Sequence, residues 1–330
     1  MEEPTQHGGP RAFAFSTDGE KVAAATGVVT VTDAAGKRSI GGQVLVWDAR
    51  TGELKAALAD DRTAATWVSF ARNGTVIASV GGEGPVLNLW DVQTGTLTRS
   101  ASLGGETVSS GRTALGRLHL SPDAALLVSL ARRPSDRFWS AVVAWDTHSG
   151  EEAWSVQRPE VNDVALSPDG EAVAWGLVAP SDEPASDEQL ARIEVLDAQT
   201  GKVERQLTLP GCRVVRLAFL QLGEALANVG RDTVTVWDMQ TGEISRQATC
   251  EDGRIGFGGF AFSPDGQTLA KANTSYVTMV DLGTGSTKAE LTVESDDDEW
   301  FDYVFSPDLT RLACKRKHEP VIVDLSGLLR

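Results

Sequence analysis

Four polar side chains in this 330-residue sequence offer the best material for chemistry: Arg117, His119, Asp163 and Arg216. An imidazole, a carboxylate and two guanidinium groups brought to one place would suit a hydrolase or lyase. No nucleophile motif supports them. GxSxG and HExxH are absent, and GFGGFA (256–261) fits the loose dinucleotide pattern but runs into a strand with no helix to receive a pyrophosphate. His119 lacks a partner cluster, so a satisfied structural role is favoured over a catalytic one. The cysteines Cys212, Cys250 and Cys314 form neither a CxxC pair nor a metal spacing, and a reducing, cytoplasmic setting is expected.

Charge narrows the partners. The formal net charge is −16, and no long lysine or arginine run interrupts it. Nucleic acid and anionic membrane surfaces are therefore poor candidates, and a basic protein or peptide is a better one. No apolar stretch is long enough to span a bilayer, and no cofactor or metal is expected. Glycine, at 33 residues, points to many turns.

The elements that must position those residues follow from a repeat. VWDARTG (46–52), LWDVQTG (89–95), AWDTHSG (144–150), LDAQTG (196–201), VWDMQTG (236–242), VDLGTG (280–285) and VDLSG (323–327) recur every 41 to 55 residues. A second signature stays in phase upstream: FSTDG (15–19), FARNG (70–74), LSPDA (120–124), LSPDG (166–170), FLQLG (219–223), FSPDG (262–266) and FSPDL (305–309). Both are hairpin punctuation. Proline presets φ, aspartate bonds nearby backbone, and glycine accepts a left-handed conformation. Between them lie alternating, β-branched runs such as QVLVWD (43–48) and DTVTVWD (232–238). The chain reads as all-β, in seven units spanning about 10–60, 61–107, 108–158, 159–209, 210–252, 253–295 and 296–330.

This pattern resembles the WD40-repeat family, with literal Trp-Asp pairs at 47–48, 90–91, 145–146 and 237–238. The resemblance implies a seven-bladed β-propeller of four-stranded antiparallel blades, strands a to d running outward from the axis, and a non-catalytic scaffold that binds a protein or peptide. The family's Gly-His dipeptide is missing from nearly every repeat, so packing and turn geometry must hold the blades, as in the looser bacterial-type members. AWDTHSGEEAW (144–154) and LDAQTGKVERQ (196–206) are also similar to quinoprotein-like repeats, which implies the same fold with a quinone-dependent enzyme as the alternative. Only SGLLR (326–330) remains for the outer strand of the last unit. Residues 1–9 could supply that strand by pairing with 320–325, the last blade could have three strands, or the sequence could be cut from a larger protein.

Function is expected on the face carrying the d–a and b–c connections, where length varies. Residues 27–42 are expected to form an extended hairpin, and inserts fall at 131–140 and 179–191. Three residues before each anchoring Phe or Leu of strand a stand Ala12, Trp67, Arg117, Asp163, Arg216, Gly259 and Asp302, a set that follows no packing rule. Trp67, Arg117, Asp163, Arg216 and Asp302 are therefore expected to grip a partner, with mutual pairing of Arg117, Asp163 and Arg216 as the competing reading. Arg133, Arg137 and Trp139 in the repeat 3 insert join them as interface anchors, unless Trp139 instead begins strand c and is buried. Acidic residues crowd the same connections, including Asp60, Asp61, Glu251, Asp252 and residues 294–299.

Overall fold

The computed structural model describes residues 9–27, 29–33, 36–40, 42–59, 65–71, 74–81, 85–104, 114–133, 136–159, 161–177, 191–209, 216–220, 223–230, 233–249, 259–273, 276–292, 303–316 and 319–329. They form seven antiparallel sheets arranged as the blades of a β-propeller. Blade 1 contains β1 (Pro10–Phe15), β2 (Lys21–Thr26), β5 (Gln43–Asp48) and β6 (Leu54–Ala59). A separate hairpin of β3 (Val29–Asp33) and β4 (Gly36–Ile40) is inserted in it, as the sequence led one to expect. Blade 2 contains β7 (Ala65–Phe70), β8 (Val76–Gly81), β9 (Val86–Asp91) and β10 (Leu97–Ser102). Blade 3 contains β11 (Ala114–Leu120), β12 (Leu126–Arg133), β13 (Asp136–Asp146) and β14 (Glu152–Pro159). Blade 4 contains β15 (Val161–Leu166), β16 (Ala172–Leu177), β17 (Ala191–Asp197) and β18 (Val203–Leu209). Blade 5 contains β19 (Arg216–Leu220), β20 (Ala225–Val229), β21 (Thr233–Asp238) and β22 (Ile244–Thr249). Blade 6 contains β23 (Phe260–Phe262), β24 (Thr268–Ala272), β25 (Tyr276–Asp281) and β26 (Thr287–Thr292). Blade 7 has three strands among the described residues: β27 (Val304–Phe305), β28 (Arg311–Arg316) and β29 (Glu319–Asp324).

Burial explains the strand sequences. Second strands are covered on both faces by neighbouring blades, so they read as nearly unbroken small or apolar runs. KVAAAT of β2 and ALANV of β20 are buried at almost every position. Outermost strands touch a neighbour on one side, and LKAALA of β6 buries only Leu58 fully. The apolar clusters accordingly straddle blades. Ala78, Val80 and Leu87 of blade 2 pack with Leu127, Val143 and Trp145 of blade 3. Each such buried aliphatic side chain stabilises the ring by roughly 1.5–3 kcal/mol relative to exposure. No blade could bury that surface alone.

Two turn designs recur, and both consume their own polar groups. In the Trp-Asp turns the carboxylate accepts backbone N–H groups two or three residues on: Asp48 from Arg50 at 3.0 Å and Thr51 at 2.7 Å, Asp238 from Gln240 at 2.9 Å and Thr241 at 2.8 Å. The closing glycine takes a positive φ, 71° at Gly52 and 77° at Gly242, and returns its N–H to the aspartate carbonyl. The register slip falls a few residues later: Val46 faces Ala56 while Trp47 faces Leu54, so the extra residue is Lys55 in strand d and not the glycine. In the Ser-Pro-Asp-Gly turns, Ser167 Oγ donates to Asp169 at 2.5 Å and accepts the Ala172 N–H at 2.8 Å. Ala124 and Leu309 stand where other repeats have glycine, and both adopt φ of 60°.

The ring closes by packing. Phe13, Val22, Ala24 and Ala49 of blade 1 cluster with Ala313 of blade 7, with Val304 and Ile322 against them. A Cβ on Gly19 would lie 3.6 Å from Pro307 Cδ, so the turns of blades 1 and 7 also abut. SGLLR supplies no fourth strand: Ser326–Leu329 form a 3-10 turn, and Leu328 packs on the cluster shared by blades 6 and 7. Residues 1–8, the other source considered, lie outside the described residues.

Candidate partner-binding surface

Antiparallel strand order puts the a–b and c–d turns on one face and the d–a and b–c connections on the other. The turn face is chemically spent. Its aspartate, serine and threonine side chains bond within their own turns, and the hydrogen bonds they accept hold several carboxylates below the ordinary range. At Asp48 the Thr51 N–H is the main cause, and at Asp197 the Thr200 hydroxyl. Asp281 is lowered furthest, to about 2, chiefly by hydrogen bonding from Lys288 Nζ at 2.9 Å. Two connection segments, 178–190 and 293–302, contain aspartates and glutamates and no lysine or arginine in sequence, whereas 27–42 and 131–140 include Lys37, Arg38, Arg132, Arg133 and Arg137.

The inner-strand residues diverge in fate. Asp163 on β15 is 3% exposed, and its Oδ2 accepts the backbone N–H of Leu217 on β19 at 2.8 Å. It ties the first strand of blade 4 to that of blade 5. Trp67 on β7 is half-buried and packs on the blade 2–blade 3 cluster. Arg216 opens β19 half-buried, beside the amide that Asp163 holds. Arg117 and His119 lie on β11, with His119 half-buried. The surroundings of the Arg117 side chain and the whole of Asp302 lie outside the described residues. So do Cys212, Cys250 and the acidic segments 60–64, 250–258 and 293–302.

The repeat 3 insert is regular structure. β12 and β13 continue through it as a paired hairpin out to Arg133 opposite Asp136, with Trp139 opposite Pro159 of a lengthened β14. Arg133, Arg137 and Trp139 therefore sit on the paired strands β12 and β13 of blade 3, Trp139 within strand c, and their side-chain surroundings lie outside the described residues. Among the described residues no three His, Cys, Asp or Glu side chains converge in a metal-binding arrangement.

Sequence reasoning missed Asp163's tie to the neighbouring blade, because a carboxylate accepting a main-chain N–H from the next repeat leaves no residue-type signal. It also missed a cleft between blades 7 and 1. The cleft measures about 390 Å³ and is lined by Phe13, Val22, Trp47, Arg50, Ala313 and Ile322 among others.

Comparison with known proteins places this architecture. No family model matches the chain. It is 32% identical over 171 residues to the WD repeat-containing protein WDS homolog of Arabidopsis thaliana, an alignment covering 50% of this chain and 28% of that protein. The chain thus spans under a third of that relative's length. Among solved structures, the β-propeller domain of Cps50 (Swd1) from Myceliophteria thermophila superposes with a TM-score of 0.62 at 17% identity, covering 95% of both chains. In repeat signature the chain is similar to WD40-repeat proteins, and in fold it is a seven-bladed β-propeller.

Proposed function

We propose that the protein is a non-catalytic scaffold that captures a protein or peptide, basic in character, on the face bearing the d–a and b–c connections. The observation that carries this reading is the asymmetry of the faces. One is uniform, tight and internally hydrogen-bonded. The other receives every long insert and the acidic segments of the sequence. WD-repeat relatives support an interaction role in general terms. The enzyme alternative loses its carboxylate, because Asp163 is buried and bonded to a neighbouring amide.

The test uses charge on each face. A fluorescent lysine- and arginine-rich peptide is titrated against the full chain, then against a variant with Asp296, Asp297 and Asp298 changed to Asn. A control variant carries Glu53→Gln and Glu243→Gln on the turn face. Binding that weakens about tenfold only in the first variant, and weakens with salt, supports the reading. Equal binding by all three overturns it.

A further inference from the structure

Strands b and c pair in the same register in every blade, and one crossing pair departs from the rest. Three residues before the aspartate that ends strand c stand Leu45, Asn88, Val143, Thr235, Thr278 and Val321, in blades 1, 2, 3, 5, 6 and 7. None of them is ionisable, and none faces a tryptophan on strand b. In blade 4 the pair is Glu194 opposite Trp175. The repeat therefore does not require a carboxylate at this position. Glu194 is only 6% exposed, and a buried charge is costly unless partners offset it. Its partners are three. Oε2 accepts the Trp175 indole N–H at 2.9 Å, Oε1 accepts Gln206 Nε2 at 3.1 Å, and Arg158 Nε lies 3.7 Å from Oε2.

Arg158 belongs to the preceding blade. It stands next to last on β14, the outer strand of blade 3, at the end that meets the connection face. Its main chain is pinned. The Arg158 carbonyl accepts the Ser140 hydroxyl at 2.7 Å, and the same Ser140 oxygen accepts the Val161 N–H of blade 4 at 3.1 Å. Its side chain is pinned as well. The guanidinium lies over the Trp175 ring, 5.7 Å from the centroid, and Nη1 donates to the Gln157 carbonyl at 3.1 Å. The Arg158 side chain is nevertheless 40% exposed. A guanidinium held by a buried carboxylate and a ring face, with part of its surface in water, has lost most of its rotamer freedom before any ligand arrives.

We propose that Arg158 anchors a carboxylate-binding site at the rim of blades 3 and 4, where its exposed edge takes one carboxylate of a partner protein, from a C-terminus or from an aspartate or glutamate side chain. Glu194 is the positioning residue of that site. A planar carboxylate matches the guanidinium fork. The Arg158–Glu194 pair is neutral as a whole and the chain carries a net charge of −16, so a singly charged carboxylate is favoured over a dianionic phosphate. The site uses none of the acidic connection segments, so it and the basic-partner reading can fail separately.

The probes are N-acetylalanine, which carries a terminal carboxylate, and the α-methylamide of N-acetylglutamate, which carries a side-chain one, with inorganic phosphate as the contrast at matched ionic strength. Each is titrated into the isotope-labelled chain while NMR follows the Arg158 Nε–H signal, assigned through Arg158→Lys. Expected is a saturable shift of that signal by at least one carboxylate, with Kd of about 5–50 mM. The tighter probe identifies the source. Phosphate should bind at least about threefold more weakly. Glu194→Gln, which removes the charge that orients Arg158, should weaken carboxylate binding about fivefold. The proposal is overturned by the absence of a saturable shift up to about 200 mM, by phosphate binding as tightly as the carboxylates, or by unchanged affinity in Glu194→Gln. It is also overturned by an Arg158 signal that answers only to Glu160→Gln, which would show that the chain's own carboxylate holds the guanidinium. The wild-type titration decides the matter if Glu194→Gln does not fold.

Discussion

Glycines of the Trp-Asp turns measure how tightly each blade meets the one before it. A Cβ on Gly285 would lie 2.4 Å from the Thr249 carbonyl oxygen of blade 5, and one on Gly150 2.7 Å from the Ser102 oxygen of blade 2. A Cβ on Gly201 would strike the Trp154 ring at 2.7 Å, and one on Gly242 the Arg205 guanidinium at 2.9 Å. At Gly95 the nearest atom is Leu58 Cδ2 at 4.0 Å, and at Gly52 nothing lies within 4 Å. One sequence motif therefore stands in two environments. Among the described residues, the outer strand of the preceding blade presses on the turn at the blade 2–3 to blade 5–6 interfaces, stands off at the blade 1–2 interface, and has no counterpart at the junction of blades 7 and 1, where Phe13, Val22 and Ala313 pack instead. The motif is present at all of them, so it does not by itself set the closeness of the fit.

Paired substitutions can break this comparison. The largest difference is expected at tryptophan. Replacing the buried Trp237 with Ala should cost about 3–5 kcal/mol, and replacing the half-buried Trp47 with Ala roughly half as much, in urea unfolding of the two variants. Equal losses would mean that the junction of blades 7 and 1 is as closed as the blade 4–blade 5 interface.

Next come the glycines. Gly285→Ala combines a left-handed φ of 74° with collision against the main chain of blade 5, and should cost several times the roughly 1–2 kcal/mol expected for Gly52→Ala, where only the backbone conformation is strained. The same denaturant series reads both. Asp163→Ala tests the inner strands that both kinds of junction use. It strips the Leu217 N–H of its carboxylate acceptor in a buried setting and should cost about 1–3 kcal/mol. A neutral result would remove Asp163 from the interblade framework.

Acid titration examines the turn face. Asp281 has a folded pKa of about 2 against an ordinary 3.8, because Lys288 and the turn amides stabilise its charged form. A depressed folded value contributes stability that is complete above the ordinary value and is lost as pH falls toward 2. The wild-type melting temperature should fall between pH 4 and pH 2, and Asp281→Asn should flatten that slope. The smallest effect is expected from Ala124→Gly, which relieves a positive φ at a half-buried site and should raise stability by up to about 1 kcal/mol. Leu309→Gly, at the same turn position, should instead destabilise, since Leu309 is fully buried between blades 6 and 7.

Much of the fold was legible because its determinants are local. The phased Asp-x-x-Thr-Gly and Ser-Pro-Asp-Gly turns write themselves in residue type, since only particular side chains bond the turn amides and only glycine accepts the left-handed position cheaply. The hairpin within 27–42 was readable for the same reason. Contacts between repeats were not. Asp163 looked like a partner-gripping group by its place in strand a, but its Oδ2 accepts an amide some fifty residues away, and Trp67 owes its position to the neighbouring blade's core. The 131–140 insert read as a loop because its proline and charges mask strands that extend from an existing hairpin. The junction of blades 7 and 1 was visible only as a shortage of residues after Asp324, and its shape depends on surfaces contributed by both ends of the chain.

The unequal junctions can be tested directly by amide hydrogen exchange in the 330-residue chain at neutral pH. Met279 on β25 and Ile322 on β29 hold equivalent places in adjacent blades, but among the described residues β25 is paired on both edges and β29 on one. The Ile322 amide should exchange at least about a hundredfold faster than that of Met279. Equal protection of the two would contradict an open seventh blade.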